Sequence, residues 1–162
     1  MRYLTLSELI FINSRVVGVP ELATGKRKVR DIELLEAAAQ RPEASAFGAD
    51  AYPELPDKIA ALFHSLVRNH PFTDGNKRTA TVAALFMAEV NGCQIVWDAN
   101  EALEWIVRSA ADGTEVAVLA AWFGERTQPC EPAPEPDAER DAAAIDRLMA
   151  EHGELLDALA SR

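Results

Sequence analysis

The chain has 162 residues, 49% of them hydrophobic, with 26 acidic residues against 16 basic ones and a formal net charge of −10. That is enough for one domain with a buried core plus an appendage, and too acidic for an extended nucleic-acid surface, which needs a basic face, so no direct DNA binding is expected. No apolar run reaches the roughly 20 residues of a membrane span, Met1-Arg2 leads into an amphipathic segment instead of a signal peptide, and Cys93 and Cys130 fit neither a disulfide framework nor a metal site; a cytoplasmic protein with reduced thiols and no membrane partner is expected.

In chain order, Thr5-x-x-Glu8 is a capping box that predicts a helix through Ile12 and Val16. A basic cluster, Lys26-Arg27-Lys28-Arg30, reads as a solvated loop or as a contact for phosphates or a target. Asp31 caps a second helix that Pro42 stops, and a loop from Glu43 to Pro56 follows, containing Phe47, Gly48 and Tyr52. Ile59, Leu62, Phe63, Leu66 and Val67 form the stripe of an amphipathic helix, Lys58 to Asn69, while Val82, Leu85, Phe86 and Val90 form another closed by Asn91-Gly92. Gln94 to Trp97 is a short extended piece. Asp98-x-x-Glu101 opens a helix that Asp112-Gly113 ends, and Thr114 opens the next, with Val118, Leu119, Trp122 and Phe123 buried. Beyond residue 127 the character changes: Pro129, Pro132, Pro134 and Pro136 alternate with acids, as in a stiff solvated linker. Ile145, Leu148, Met149, His152, Leu155, Leu156 and Leu159 then mark one amphipathic helix. It is too short to stand alone. It therefore packs on its own domain or a second copy, or covers a cleft. The fold class is all-α, divided as residues 1–127, a linker over 128–137 and a C-terminal helix over 138–162.

The chemistry is concentrated in His70-Pro71-Phe72-Thr73-Asp74-Gly75-Asn76-Lys77-Arg78-Thr79-Ala80, between the two central stripes. Gly75 turns the backbone at the mouth of the second helix, whose unpaired N–H groups and positive dipole end suit an anion, phosphate above all. Lys77 and Arg78 fall in that first turn, where positive charge is unfavourable unless a bound anion compensates it. His70 can take a proton near neutral pH. Asp74 is a hard oxygen ligand for one magnesium ion shared with phosphate oxygens. Asn76 can donate to phosphate from its side chain, and Arg78 can clamp it bidentately. Such a set suits phosphoryl or nucleotidyl transfer. Phe72 reads as a core anchor for the loop, and His64 as a packing histidine.

This run resembles the signature of the Fic/Doc family, H-x-F-x-[DE]-G-N-x-R, and its Lys77-Arg78-Thr79-Ala80 ending resembles the Doc (death-on-curing) branch. The likeness extends to Arg30 through Ala38, Arg41-Pro42, Phe47-Gly48, Tyr52-Pro53 and the helix Lys58 to Asn69, roughly residues 1 to 125. It implies a helical bundle in which His70 is the catalytic base, Asp74 binds Mg2+ and Gly75, Asn76, Lys77 and Arg78 receive the phosphates of the co-substrate ATP. It also implies that Phe47, Gly48 and Tyr52 belong to a flap docking a protein target by strand addition. Lys77 stands where adenylyl-transferring members have Gly, and Thr81 where they have a second Arg. In the Doc branch these features accompany ATP bound in the reverse sense. The resemblance thus implies a toxin-like protein phosphotransferase that passes the γ-phosphate to a Ser or Thr hydroxyl, with a translation factor such as elongation factor Tu as target. Adenylylation by the same residues, another phosphate-ester substrate and a binding module without strong catalysis are the alternatives. Where the Doc branch often has Ile-His, this chain has Ile12-Asn13. Inhibitory segments of Fic proteins resemble [ST]-x-x-x-E-[GN], and no Glu here precedes Gly or Asn, which implies control by an antitoxin in trans.

Overall fold

The computed structural model describes residues 1–22 and 28–162, so Lys26 and Arg27 lie outside the described residues. The Thr5 hydroxyl accepts from the Glu8 N–H while the Glu8 carboxylate accepts from the Thr5 N–H, which opens helix α1, Leu6–Val17. Asp31 caps α2, Ile32–Gln40, and the chain leaves it through a 3₁₀ turn at Arg41–Glu43 that carries Pro42. The expected loop from Glu43 to Pro56 contains a hairpin: β1, Ser45–Ala46, runs antiparallel to β2, Ala49–Asp50, with Ser45 opposite Asp50. Strands of two residues leave no alternation for a sequence reading to find.

Helix α3, Leu55–Asn69, starts three residues before Lys58 because Pro56 sits in its first turn, where a missing N–H does no harm. Helix α4, Asn76–Val90, is the centre of the molecule, with every residue from Thr79 to Ala88 buried. It is packed by α3 and α1 on the motif side. Ile59, Leu66 and Val67 of α3 are fully buried, and each such side chain contributes about 1.5–3 kcal/mol through removal from water. After β3, Cys93–Ile95, Asp98 caps α5, Ala99–Asp112. Helix α6, Val116–Gly124, begins two residues after Thr114, whose hydroxyl instead donates to Asp112. Leu119, Trp122 and Phe123 are buried, with Phe123 edge-on to Phe63 at 5.5 Å. Val118, expected inside, is 47% exposed; it precedes the Leu119–Trp122–Phe123 stripe by about 100° of helix.

The proline-rich stretch is not a free spacer. Strand β4, Thr127–Pro129, pairs antiparallel with β3, Cys93 opposite Pro129. The Cys130 N–H then donates to the Gly92 carbonyl (2.9 Å) and the Ala133 N–H to that of Val90 (3.0 Å). The non-proline positions supply the donors that tie the segment down. The C-terminal helix is present but breaks at His152, beside Gly153, into α7, Ala138–Glu151, and α8, Gly153–Ala160. Helix α7 packs on α4 and α1, and α8 on α5 and α4. The His152 ring stands edge-on to Trp97 at 5.8 Å, and Trp97 and Trp105 both stack on Trp122, at 5.6 and 5.2 Å. At the other end of α7, Asp141 pairs with the buried Arg2 guanidinium at 2.6 Å, which also holds Glu8 at 2.8 Å. Among the described residues, no helix is long and apolar enough to cross a membrane.

Candidate active site

Helix α3 stops at Asn69, and His70 takes a left-handed conformation, φ 47° and ψ 58°, that turns the chain out of the helix. Such a backbone on a non-glycine residue stores strain, and its surroundings hold it there. The Arg30 guanidinium donates from Nε to the His70 carbonyl and from Nη2 to that of Asn69, both at 2.7 Å, satisfying helix-end acceptors. The Arg30 and Asp31 N–H groups donate to the Pro71 carbonyl (2.7 and 3.1 Å), the Thr73 N–H to that of Lys28 (2.9 Å), and Val29 bridges to Phe72. Phe72 is buried to 2% exposure, the expected anchor. Arg30 is therefore a brace for the loop. In the sequence it stands in a basic cluster and at the start of the Arg30–Ala38 likeness, and neither discloses this contact.

Asn76 also differs from its expected task. Its side-chain oxygen accepts from the Phe72 N–H and its amide donates to the Phe72 carbonyl, both at 2.9 Å. The side chain closes the loop on itself with its oxygen and one of its two amide hydrogens, and Asn76 lines the pocket at the helix mouth. Gly75 sits at φ 76° as the first residue before α4, and no side chain caps that helix. Because the first intrahelical bond runs from the Thr79 N–H to the Gly75 carbonyl, the N–H groups of residues 76 to 78 have no acceptor within the helix. From α1, the buried Asn13 amide donates to the Asp74 carbonyl (2.9 Å) and the Thr79 hydroxyl (3.1 Å). Asn13 thus fixes the loop to the first turn of α4. Thr81 is buried, its hydroxyl donating to the Lys77 carbonyl at 2.8 Å.

The result is one pocket of about 260 Å³ lined by His70, Thr73, Asp74, Gly75, Asn76, Lys77 and Arg78, with Leu159, Ala160 and Arg162 at the end of α8. Burial, then the charges of Lys77, Arg30 and Arg68, push the His70 imidazole below its ordinary pKa of 6.5. The shift favours the neutral form, which can accept a proton. The Arg78 guanidinium donates to the Val16 carbonyl at 3.1 Å and stands 3.6 Å from the Asp74 carboxylate, which is 69% exposed. Among the described residues, no group of three or more His, Cys, Asp or Glu side chains could hold a metal by itself. A single accessible carboxylate beside an anion pocket does fit magnesium, which keeps waters and phosphate oxygens as its other ligands.

Residues 3–88 match the Fic/DOC family. The chain belongs to the Fic/Doc family. It is similar to Toxin Doc of Mycolicibacterium smegmatis, 43% identical over 109 residues that take in 64% of this chain and 84% of that protein. No solved structure matches it. Of the Fic/Doc signature residues, His70, Asp74, Gly75, Asn76 and Arg78 line the pocket and Phe72 is buried beside it, whereas Phe47 and Gly48, on the β1–β2 hairpin, and Tyr52, just beyond it, stand apart. Phe47, at φ 55°, and Gly48, at φ 79°, make the hairpin tip, with the Phe47 ring wholly exposed. Tyr52 is an anchor: its hydroxyl accepts from Arg41 Nε (3.0 Å), and Arg41 Nη1 reaches Ser65 Oγ and His64 Nδ1, each at 2.9 Å. His64, on α3 itself, is thus a half-buried packing residue whose ring nitrogen meets Arg41. Lys58, buried, completes the attachment by donating to the Pro42 carbonyl at 3.2 Å and pairing with Asp50 at 3.6 Å.

Proposed function

We propose that this protein is a toxin-like protein phosphotransferase of the Doc type, passing the γ-phosphate of ATP to a Ser or Thr hydroxyl of a target protein. One observation carries the reading: His70, the α4 mouth with its open N–H groups, Lys77 and Arg78 line the same pocket. The similarity to Toxin Doc supports the toxin-like role and an antitoxin partner in trans. The resemblance of Lys77 and Thr81 to the Doc pattern supports phosphoryl over adenylyl transfer, with a translation elongation factor as the kind of target.

In this scheme the backbone N–H groups of residues 76 to 78 and the Lys77 and Arg78 side chains bind phosphate oxygens and oppose their charge. Asp74, once released from Arg78, would hold one magnesium ion, which when bound neutralises further phosphate charge. The target segment adds to the flap, bringing its hydroxyl to His70. The imidazole takes the hydroxyl proton as the oxygen bonds to the γ-phosphorus and the bond to the β–γ bridging oxygen breaks, releasing ADP and the phosphorylated target.

Incubation of the protein and of His70→Ala with cell extract and Mg2+, with label on the γ- or the α-phosphate of ATP, tests the proposal. His70-dependent transfer of the γ label is expected. Transfer of the α label would make the enzyme an adenylyltransferase, and transfer of neither would leave a binding module.

A further inference from the structure

The family match ends at residue 88, yet the pocket that the signature builds has a wall from far beyond it. Leu159, Ala160 and Arg162 line the pocket with the motif. Behind Arg78, a second cavity of about 130 Å³ is lined by Val16, Met149, Gly153, Leu156 and Asp157, so the C-terminal helices also back the motif's own arginine. Leu155, Leu156 and Leu159 are buried, which seats α8 on the body of the protein, while Arg162 is exposed at its end. The seating places Arg162 among the residues that line the pocket. With Lys77 and Arg78 it makes three basic residues lining a pocket that also holds Asp74. The volume is below the roughly 300–1,000 Å³ of pockets that enclose a whole small molecule. It suits a polyphosphate with its nucleoside projecting outward.

We propose that α8 is a wall of the anion pocket and that Arg162 is a further substrate-binding residue, contacting the phosphate chain from the side opposite the loop. The proposal rests on the phosphate-site reading above. The wall then selects for the number of phosphates: a longer anion reaches Arg162, and a single phosphate held at the α4 mouth does not. A helix that blocked the site would act oppositely, since loss of its side chain would tighten binding.

The test is calorimetric titration of the full chain with tripolyphosphate, Mg-ATP and inorganic phosphate at pH 8, comparing wild type with Arg162→Ala, Arg162→Lys, Arg162→Glu and Lys77→Ala. Arg162→Ala is expected to weaken tripolyphosphate and Mg-ATP about three- to fivefold, the scale of an exposed charge contact. Arg162→Glu should weaken them more, Arg162→Lys should keep most of the affinity, and phosphate should be little affected. Unchanged or tighter binding by Arg162→Ala, with Lys77→Ala still weakened, overturns the role of Arg162 and leaves the phosphate site standing. Absence of binding by wild type, or indifference to Lys77→Ala, overturns both. Arg162 is exposed, so unchanged thermal melting of its variants is expected and separates a lost contact from a lost fold.

Discussion

His70 combines a strained backbone with a proton affinity lowered by burial and by Lys77, Arg30 and Arg68. A general base works in its unprotonated form, so a lowered pKa extends activity toward acid. The acid limb of kcat/KM against pH is expected to fall below 6.5, and Lys77→Ala should move it upward; a limb at or above 6.5 in the wild type would contradict the assignment of the base. Asn13 is the second residue with a sharp consequence. It stands where the Doc branch often has His, and its amide hydrogens are used on the Asp74 carbonyl and the Thr79 hydroxyl. Asn13→Asp cannot donate either bond. We expect kcat to fall about tenfold or more, the usual effect of losing a group that orients a metal ligand, the role proposed for Asp74, with a raised Mg2+ requirement and an unchanged KM for the target. A change confined to the target's KM would instead make Asn13 a docking residue.

At the level of elements, the α3–loop–α4 unit depends on Gly75. Its φ of 76° disfavours any side chain, and a Cβ there would lie 3.0 Å from Val17 Cγ1 and 3.2 Å from Val16 Cγ1. Gly75→Ala should therefore destabilise the fold by about 1–3 kcal/mol in chemical denaturation, and it should push α1 away from the α4 mouth. The β1–β2 hairpin, read under the proposed function as the flap that docks the target, makes a different prediction. Arg41→Ala removes the link between Tyr52 and α3, so KM for the protein target should rise severalfold while KM for ATP stays constant, as steady-state kinetics would read. These units differ in how far the sequence disclosed them. The caps at Thr5, Asp31 and Asp98, the two central helices and the gathering of His70 to Arg78 were legible because each is set by residues within a few positions of one another. Arg30 on the α3 carbonyls and Asn13 on the Asp74 loop are 40 and 61 residues from their partners, and although the sequence singles out both positions, nothing local discloses those contacts. Asn76 was legible only in part for another reason: a carboxamide suits a phosphate and a backbone clamp equally, and the clamp on Phe72 follows from the loop's curvature. The flap strands and the tethering of the proline-rich segment also needed partners that periodicity does not reveal.

Across the whole molecule, both ends of the chain converge on the same structure. Arg2 holds Asp141 of α7 and Glu8 of α1 from a buried position. Burial raises the Asp141 carboxyl, but hydrogen bonds from Arg2 and the Asp137 N–H, with the nearby guanidinium charge, outweigh it and leave the group below its ordinary 3.8. A carboxyl depressed on folding contributes stability above its unfolded pKa and loses it as pH falls through the folded value. Asp141→Ala should cost about 3 kcal/mol at pH 7 by leaving a buried guanidinium short of a partner, and the difference from wild type should shrink below pH 3.8 in melting experiments. The stacked aromatic cluster has a consequence of an optical kind. The chain has three tryptophans, and all of them sit in the stack that His152 touches at the junction of α7 and α8. Indole emission responds to the polarity and quenching groups around the ring, so the protein's intrinsic fluorescence is a built-in gauge of whether its C-terminal helices are seated, readable in real time without a label.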